Sequence, residues 1–257
     1  LTEKILCRCR NRMFMMIRSS EQTFAVGFEV QALQRGIKVQ ALVKLNKVPH
    51  LLIVAPSGSG KTYLLVLILR QLSCRSGTLI LADFKGMDFR SLDGCRNYYK
   101  HERVADALKY VFDEMQIRME HPKEKFLPIY FVIDEWSGFL GLYSKKEQDE
   151  FKKQLSSILM LGRGISIFVI LALQRADANY LVGRDNFGNV VGLGTLSRES
   201  VQMVFSDYKE QIAPKGRGKG YLKTDGSPLK EILVPQIRDY ERSLQMIENA
   251  LNRYETE

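Results

Sequence analysis

From Pro49 onward, apolar residues fall into short blocks separated by longer stretches with helical spacing. Leu51-Leu52-Ile53-Val54 is apolar without alternation and too short for a helix, so it predicts a strand buried on both faces. Residues 61–73 are apolar nearly all round, which predicts a buried helix. Further strands are predicted at 78–82, 129–133, 165–173 and 190–193. Helices are predicted between them at 104–119, 147–161 and 198–205; in the first, Ala107, Leu108, Val111, Met115 and Met119 recur at helical spacing. Residues 221–223 and 232–234 flank Asp225-Gly226 and predict an edge hairpin, and 239–254 a closing helix. Strands alternating with helices predict an α/β fold with a mainly parallel central sheet. Upstream the pattern differs. Residues 23–30 and 37–45 alternate partially around Arg35-Gly36 and predict a strand pair. The expected organisation is a basic N-terminal segment over 1–45, carrying that pair, and a main domain over 46–257.

The turn between the first block and the buried helix carries chemistry. Ala55-Pro56-Ser57-Gly58-Ser59-Gly60-Lys61-Thr62 follows a predicted strand and opens a predicted helix, the setting that marks a phosphate-binding loop. Gly58 and Gly60 let the backbone bend so that successive N–H groups face phosphate oxygens. The helix N-terminus adds partial positive charge. Lys61 is expected to reach the β- and γ-phosphates of ATP, and Thr62 to offer its hydroxyl to Mg2+. Ala55 stands where the motif commonly has glycine, a mild change if its φ is negative.

Hydrolysis needs a carboxylate beside the metal and a base for water. Ile129-Tyr130-Phe131-Val132-Ile133-Asp134-Glu135 is an apolar strand ending in two acids. Asp134 is expected to hold magnesium and Glu135 to act as general base, which argues against a module that only binds nucleotide. Gln174 ends the next strand, where it either touches the γ-phosphate or its water, or simply terminates the strand. Arg163 and Arg175 are either arginine fingers or solvated side chains. Asp83 and Lys85 either line the site or cap a turn.

Charge changes the picture of partners. The net charge is +9, and residues 1–50 hold nine Lys/Arg against three Asp/Glu. This points to a polyanion, either nucleic acid or an anionic membrane surface, or else to a solvated basic face. Segment 1–20 interleaves arginines with Met, Phe and Ile, as a juxtamembrane segment or a helix packed on the main domain would. No apolar run is long enough to span a bilayer. Cys7, Cys9, Cys74 and Cys95 lack metal-site spacing and are expected to be free thiols. The first residue is Leu1, so a longer protein is expected.

Taken together, the motifs resemble the FtsK/SpoIIIE family of DNA-translocating motors. The match runs from about 49 to 235 and rests on the phosphate loop, Asp83-Phe84-Lys85-Gly86, Val132-Ile133-Asp134-Glu135, Leu161-Gly162-Arg163-Gly164-Ile165, Leu171-Ala172-Leu173-Gln174-Arg175 and Gly218-Lys219-Gly220-Tyr221-Leu222. The resemblance implies a RecA-like P-loop NTPase core, a homo-hexameric ring and ATP-driven movement of double-stranded DNA. It also implies a sensor role for Gln174 and an arginine-finger role in trans for Arg163. Departures are Phe84 and Ala176, where the family has proline, and Trp136 after the acids. With no winged-helix segment after the motor, the chain looks more like the TcpA-type coupling ATPases of Gram-positive conjugative elements. That likeness implies a cytoplasmic motor whose full-length protein is anchored to the inner face of the membrane and meets other transfer proteins there. The alternative is a type VII secretion-like ATPase of EssC type, which moves protein. Lys145-Lys146 and 215–219 are candidate DNA contacts or plain surface loops.

Overall fold

The computed structural model describes residues 22–253. The basic segment 1–20 with Cys7 and Cys9, and the end of the last predicted helix, lie outside the described residues. In chain order the elements are β1 (Thr23–Glu29), α1 (Val30–Gln34), β2 (Gln40–Lys44), β3 (Leu51–Val54), α2 (Lys61–Leu72), β4 (Thr78–Asp83), β5 (Tyr98–Lys100), α3 (Val104–Glu120), β6 (Ile129–Asp134), α4 (Trp136–Leu140), α5 (Lys145–Leu161), β7 (Ile167–Leu173), β8 (Asn189–Leu193), α6 (Arg198–Val204), β9 (Lys219–Thr224), β10 (Lys230–Leu233) and α7 (Tyr240–Leu251).

The ten strands among the described residues form one sheet in the order β2-β1-β10-β9-β8-β3-β7-β6-β4-β5. From β8 to β5 every pairing is parallel, and from β8 to β2 every pairing is antiparallel. Parallel neighbours need crossovers, which the helices supply on both faces. Side chains along each central strand alternate between two cores, as a pleated strand requires. Leu51, Ile53, Tyr130, Val132, Phe168 and Ile170 face the layer of α2 and α7. Leu52, Val54, Phe131, Ile133, Val169 and Leu171 face the layer of α3, α4 and α5. α2 buries Leu64 through Leu69, which explains its nearly unbroken apolar sequence.

The α/β class with its large parallel sheet matches the expectation, and most elements fall within a few residues of their predicted bounds. The edge hairpin is corrected. β9 and β10 pair across Asp225-Gly226, but they lie inside the sheet, because β9 also pairs with β8 and β10 with β1. Phe28 stands opposite Leu233, a pairing that no local pattern encodes. The antiparallel pair β1–β2 thereby continues the same sheet. Cys95 is a free thiol, and no helix among the described residues is long and apolar enough to cross a membrane.

Candidate active site

Strand order assembles the site. β7 lies between β3 and β6, with Leu173 in register with Val54 and Ala172 with Asp134. Ala55, Gln174 and Glu135 therefore leave the sheet side by side. The Ala55 N–H donates to the Leu173 carbonyl at 2.9 Å and the Glu135 N–H to the Ala172 carbonyl at 3.1 Å.

The chain turns from β3 into α2 through 55–60. Gly58 and Gly60 have φ of 78° and 104°, values that strain any L side chain. The Ser59 N–H and hydroxyl both donate to the Pro56 carbonyl, at 3.1 and 2.6 Å, which closes the loop. Ala55 is buried and is not among the residues with positive φ, so alanine fits there without strain. Ser57 and Gly58 form an exposed crest, and no side chain caps α2 at Gly60. The first-turn N–H groups of α2 are thus available to an anion.

Opposite the loop, the Lys61 ammonium donates to both Asp134 Oδ1 and Glu135 Oε1. Glu135 Oε1 also accepts from Gln174 Nε2 at 3.0 Å and pairs with Lys85 Nζ at 3.3 Å. Both acids are almost fully buried. Burial pushes the Asp134 carboxyl up to about 6 against the pull of Lys61. Burial acts the same way on Glu135, but Lys61, Gln174 and Lys85 outweigh it and hold that carboxyl below the usual range. Burial opposes charge on Lys61 too, and the two carboxylates reverse it and raise the ammonium. Two adjacent acids are thus driven apart in acidity, the pattern by which neighbouring carboxylates take different roles.

Around this centre, Asp83 ends β4 in register with Asp134 and accepts from the Tyr98 hydroxyl at 3.1 Å. Burial raises its carboxyl, against hydrogen bonds from Gly86 and Tyr98. The Thr62 hydroxyl donates to Asp88 Oδ2 at 2.7 Å. Sequence reasoning did not single out Asp88 or Tyr98. Asp88 follows a strand at the edge where the site lies, and that position is the signal that could have found it. The left-handed backbone of Glu135, φ 62° and ψ 43°, was likewise invisible. A side chain there costs about 1–3 kcal/mol, and it turns the acid out of β6 toward Lys61.

The residues fit a magnesium-bound nucleoside triphosphate. The loop crest and the open helix terminus suit phosphates. Thr62 and Asp134 offer one hydroxyl and one carboxylate, the few protein ligands that Mg2+ takes beside phosphate and water.

Arg163 does not join this group. It is exposed in the 3-10 turn 162–165 that precedes β7, at the opposite edge of the sheet. Arg175 leaves the same end of β7 as Gln174 and pairs with Glu199 at 3.4 Å. Each departure from the family pattern has a partner. The Ala176 N–H donates to Ser200 Oγ at 3.1 Å, a bond proline could not make. The Phe84 ring lies against Gly138 of α4. Trp136 is buried and donates from Nε1 to the Tyr180 carbonyl at 3.0 Å. Lys145 and Lys146 are exposed in the first turn of α5, whereas the 215–219 turn rests on the phosphate loop.

The family model described as the central domain of helicase HerA matches residues 28–121. The FtsK domain-containing protein YdcQ of Bacillus subtilis is 28% identical over 227 residues, 81% of this chain and 47% of its own length. The DNA translocase FtsK of Bacillus cereus is 24% identical over 176 residues, 55% of this chain and 22% of its own. The chain thus spans about half the length of the first curated relative and less of the second. Among solved structures, the pCW3 conjugation coupling protein TcpA superposes with a TM-score of 0.73 at 20% identity, covering 90% of this chain and 72% of that one. The cytoplasmic domain of the Thermomonospora curvata type VII secretion ATPase EccC gives 0.67 at 21% identity, over 89% and 31%. At these identities the two structures speak for a shared fold.

Proposed function

We propose that the chain is an FtsK/SpoIIIE-like ATPase motor domain that hydrolyses ATP to drive double-stranded DNA through a homo-hexameric ring, in conjugative transfer. The observation that carries hydrolysis is the convergence of Lys61, Asp134, Glu135 and Gln174 at the ends of β3, β6 and β7. Residues 55–62 hold the triphosphate, and Thr62 and Asp134 hold magnesium. Magnesium held there would offset charge on the phosphates. Glu135, ionised at neutral pH, accepts a proton from the attacking water once Lys61 has moved to the phosphates, and Gln174 holds the carboxylate in line through its amide. Arg163 supplies positive charge to the site of a neighbouring copy, since it stands at the far edge of its own sheet.

DNA as cargo is supported by the +9 charge and by the DNA translocase among the relatives. Conjugation is supported by the likeness to the TcpA coupling protein. The test is the ATPase rate of the oligomerised chain with and without duplex DNA across a salt series. Stimulation that fades steeply with salt is expected, because phosphate contacts release counterions. If duplex DNA neither binds at low salt nor changes the rate, the DNA reading fails. Stimulation by a secreted polypeptide instead would favour protein transport.

A further inference from the structure

A second chain segment, far from the acids in sequence, touches the phosphate loop. The turn entering β9 rests on it, with the Gly218 N–H donating to the Ser59 carbonyl at 2.8 Å. The turn is braced from behind. Val234 N–H donates to the Gly218 carbonyl at 2.7 Å, Gly194 N–H to the Lys219 carbonyl at 2.9 Å, and Lys219 N–H to the Gly216 carbonyl at 3.1 Å. Glycine makes the approach possible. A Cβ on Gly194 would stand 2.7 Å from the Ser59 Cβ, and one on Gly60 would stand 3.4 Å from the Gly218 nitrogen and 3.9 Å from Arg217 Cγ.

The cations of this turn are not equivalent. Lys215 is committed to Glu231 at 2.7 Å and lies over the Tyr221 ring at 5.1 Å. Arg217 is exposed, pairs with no carboxylate among the described residues, and has its stem beside Gly60, one residue before Lys61. We propose that Arg217 is a nucleotide-binding residue acting in cis, its guanidinium contacting the phosphate chain of the ATP held by residues 55–62. The proposal rests on the reading of that loop as an ATP site. A guanidinium matches phosphate oxygens with two parallel donors, which a lysine ammonium does not. Triphosphate with magnesium keeps a negative charge that Lys61 alone does not match. The bracing of the turn against the loop holds Arg217 toward nucleotide and away from a mobile, DNA-facing position.

The experiment is equilibrium titration of the full chain with fluorescent ATP, ADP and adenosine, for wild type, Arg217→Ala, Arg217→Lys and Lys61→Ala. Arg217→Ala is expected to weaken ATP and ADP about tenfold and adenosine not at all, with partial recovery in Arg217→Lys. An unchanged thermal midpoint shows that the variant is folded. If wild type binds ATP, Lys61→Ala abolishes binding and Arg217→Ala binds like wild type, the inference is overturned while the ATP reading stands. If wild type does not bind ATP, the ATP reading itself fails. Equal weakening of adenosine would make Arg217 a contact to the nucleoside and would also overturn the inference. So would loss of DNA stimulation with unaltered ATP affinity.

Discussion

The two edges of the parallel sheet use polar side chains in opposite ways. At the carboxyl edge, Lys61, Lys85 and Gln174 all converge on one oxygen of Glu135, beside an exposed loop crest. At the amino edge, buried polar groups are held mainly by backbone, with Arg118 also paired to Glu114 and Asn189 also accepting from Thr224. His50 Nδ1 accepts from the Val169 N–H and Nε2 donates to the Leu159 carbonyl, each at 2.9 Å. The amide of Asn189 donates to the carbonyls of Val48 and His50, and Arg118, 4% exposed, donates to those of Leu127 and Ile165. Backbone partners cannot leave without unfolding something, whereas side-chain partners can exchange for a ligand. One edge is built for exchange, and the other holds still the turn that presents Arg163.

The contrast can be broken most decisively at Glu135. Glu135→Gln is expected to cut turnover about a thousandfold while nucleotide affinity stays within a few fold, as read by phosphate release and nucleotide titration. Turnover close to wild type would remove the base from the carboxyl edge. At the amino edge, Arg118→Ala leaves the buried Ile165 carbonyl unpaired and removes the bond to the Leu127 carbonyl. It should lower unfolding free energy by about 3 kcal/mol in denaturant titration, with unchanged turnover per folded molecule. A loss of turnover without loss of stability would mean that the two edges are not separable in this way.

His50 sharpens the comparison through pH. Burial lowers its pKa from 6.5 to about 4, against the Leu159 hydrogen bond, and protonation of Nδ1 would break the bond from Val169. The unfolded chain binds the proton first, so stability falls as pH drops through the window between those values. Wild type should lose about 2 kcal/mol more than His50→Gln between pH 7.5 and pH 5. Equal losses would show that His50 does not stay neutral in the fold. The smallest effect is expected at Lys85, whose side chain is 45% exposed. Lys85 helps hold Glu135 low, so Lys85→Ala should move the acid limb of the pH–rate profile upward by a few tenths of a unit. A downward shift would contradict the geometry.

What the sequence disclosed follows the same division. The strands, α2 and the phosphate loop were legible, because burial on both faces and a glycine turn before a helix are local patterns. Asp134 and Glu135 were legible as a strand end. The placement of β7 between β3 and β6 was not, because it depends on pairings between segments far apart in the chain. Gln174 therefore stayed an ambiguous strand terminus until the family resemblance, and its bond to Glu135 emerged only with the fold. The 215–219 turn looked like a surface loop for DNA because its glycines gave no hint of the serine carbonyl they approach. The short α4 and β5 have too few residues for any period to register.

The central position of β3 also has a consequence for biogenesis. Both of its neighbours, residues 167–173 and 189–193, are synthesised long after it. A nascent chain that has emerged only as far as α5 therefore presents Leu51–Val54 with both hydrogen-bonding edges open. Such a stretch is prone to pair with other chains, so the protein's yield should depend on chaperones until β8 has been made.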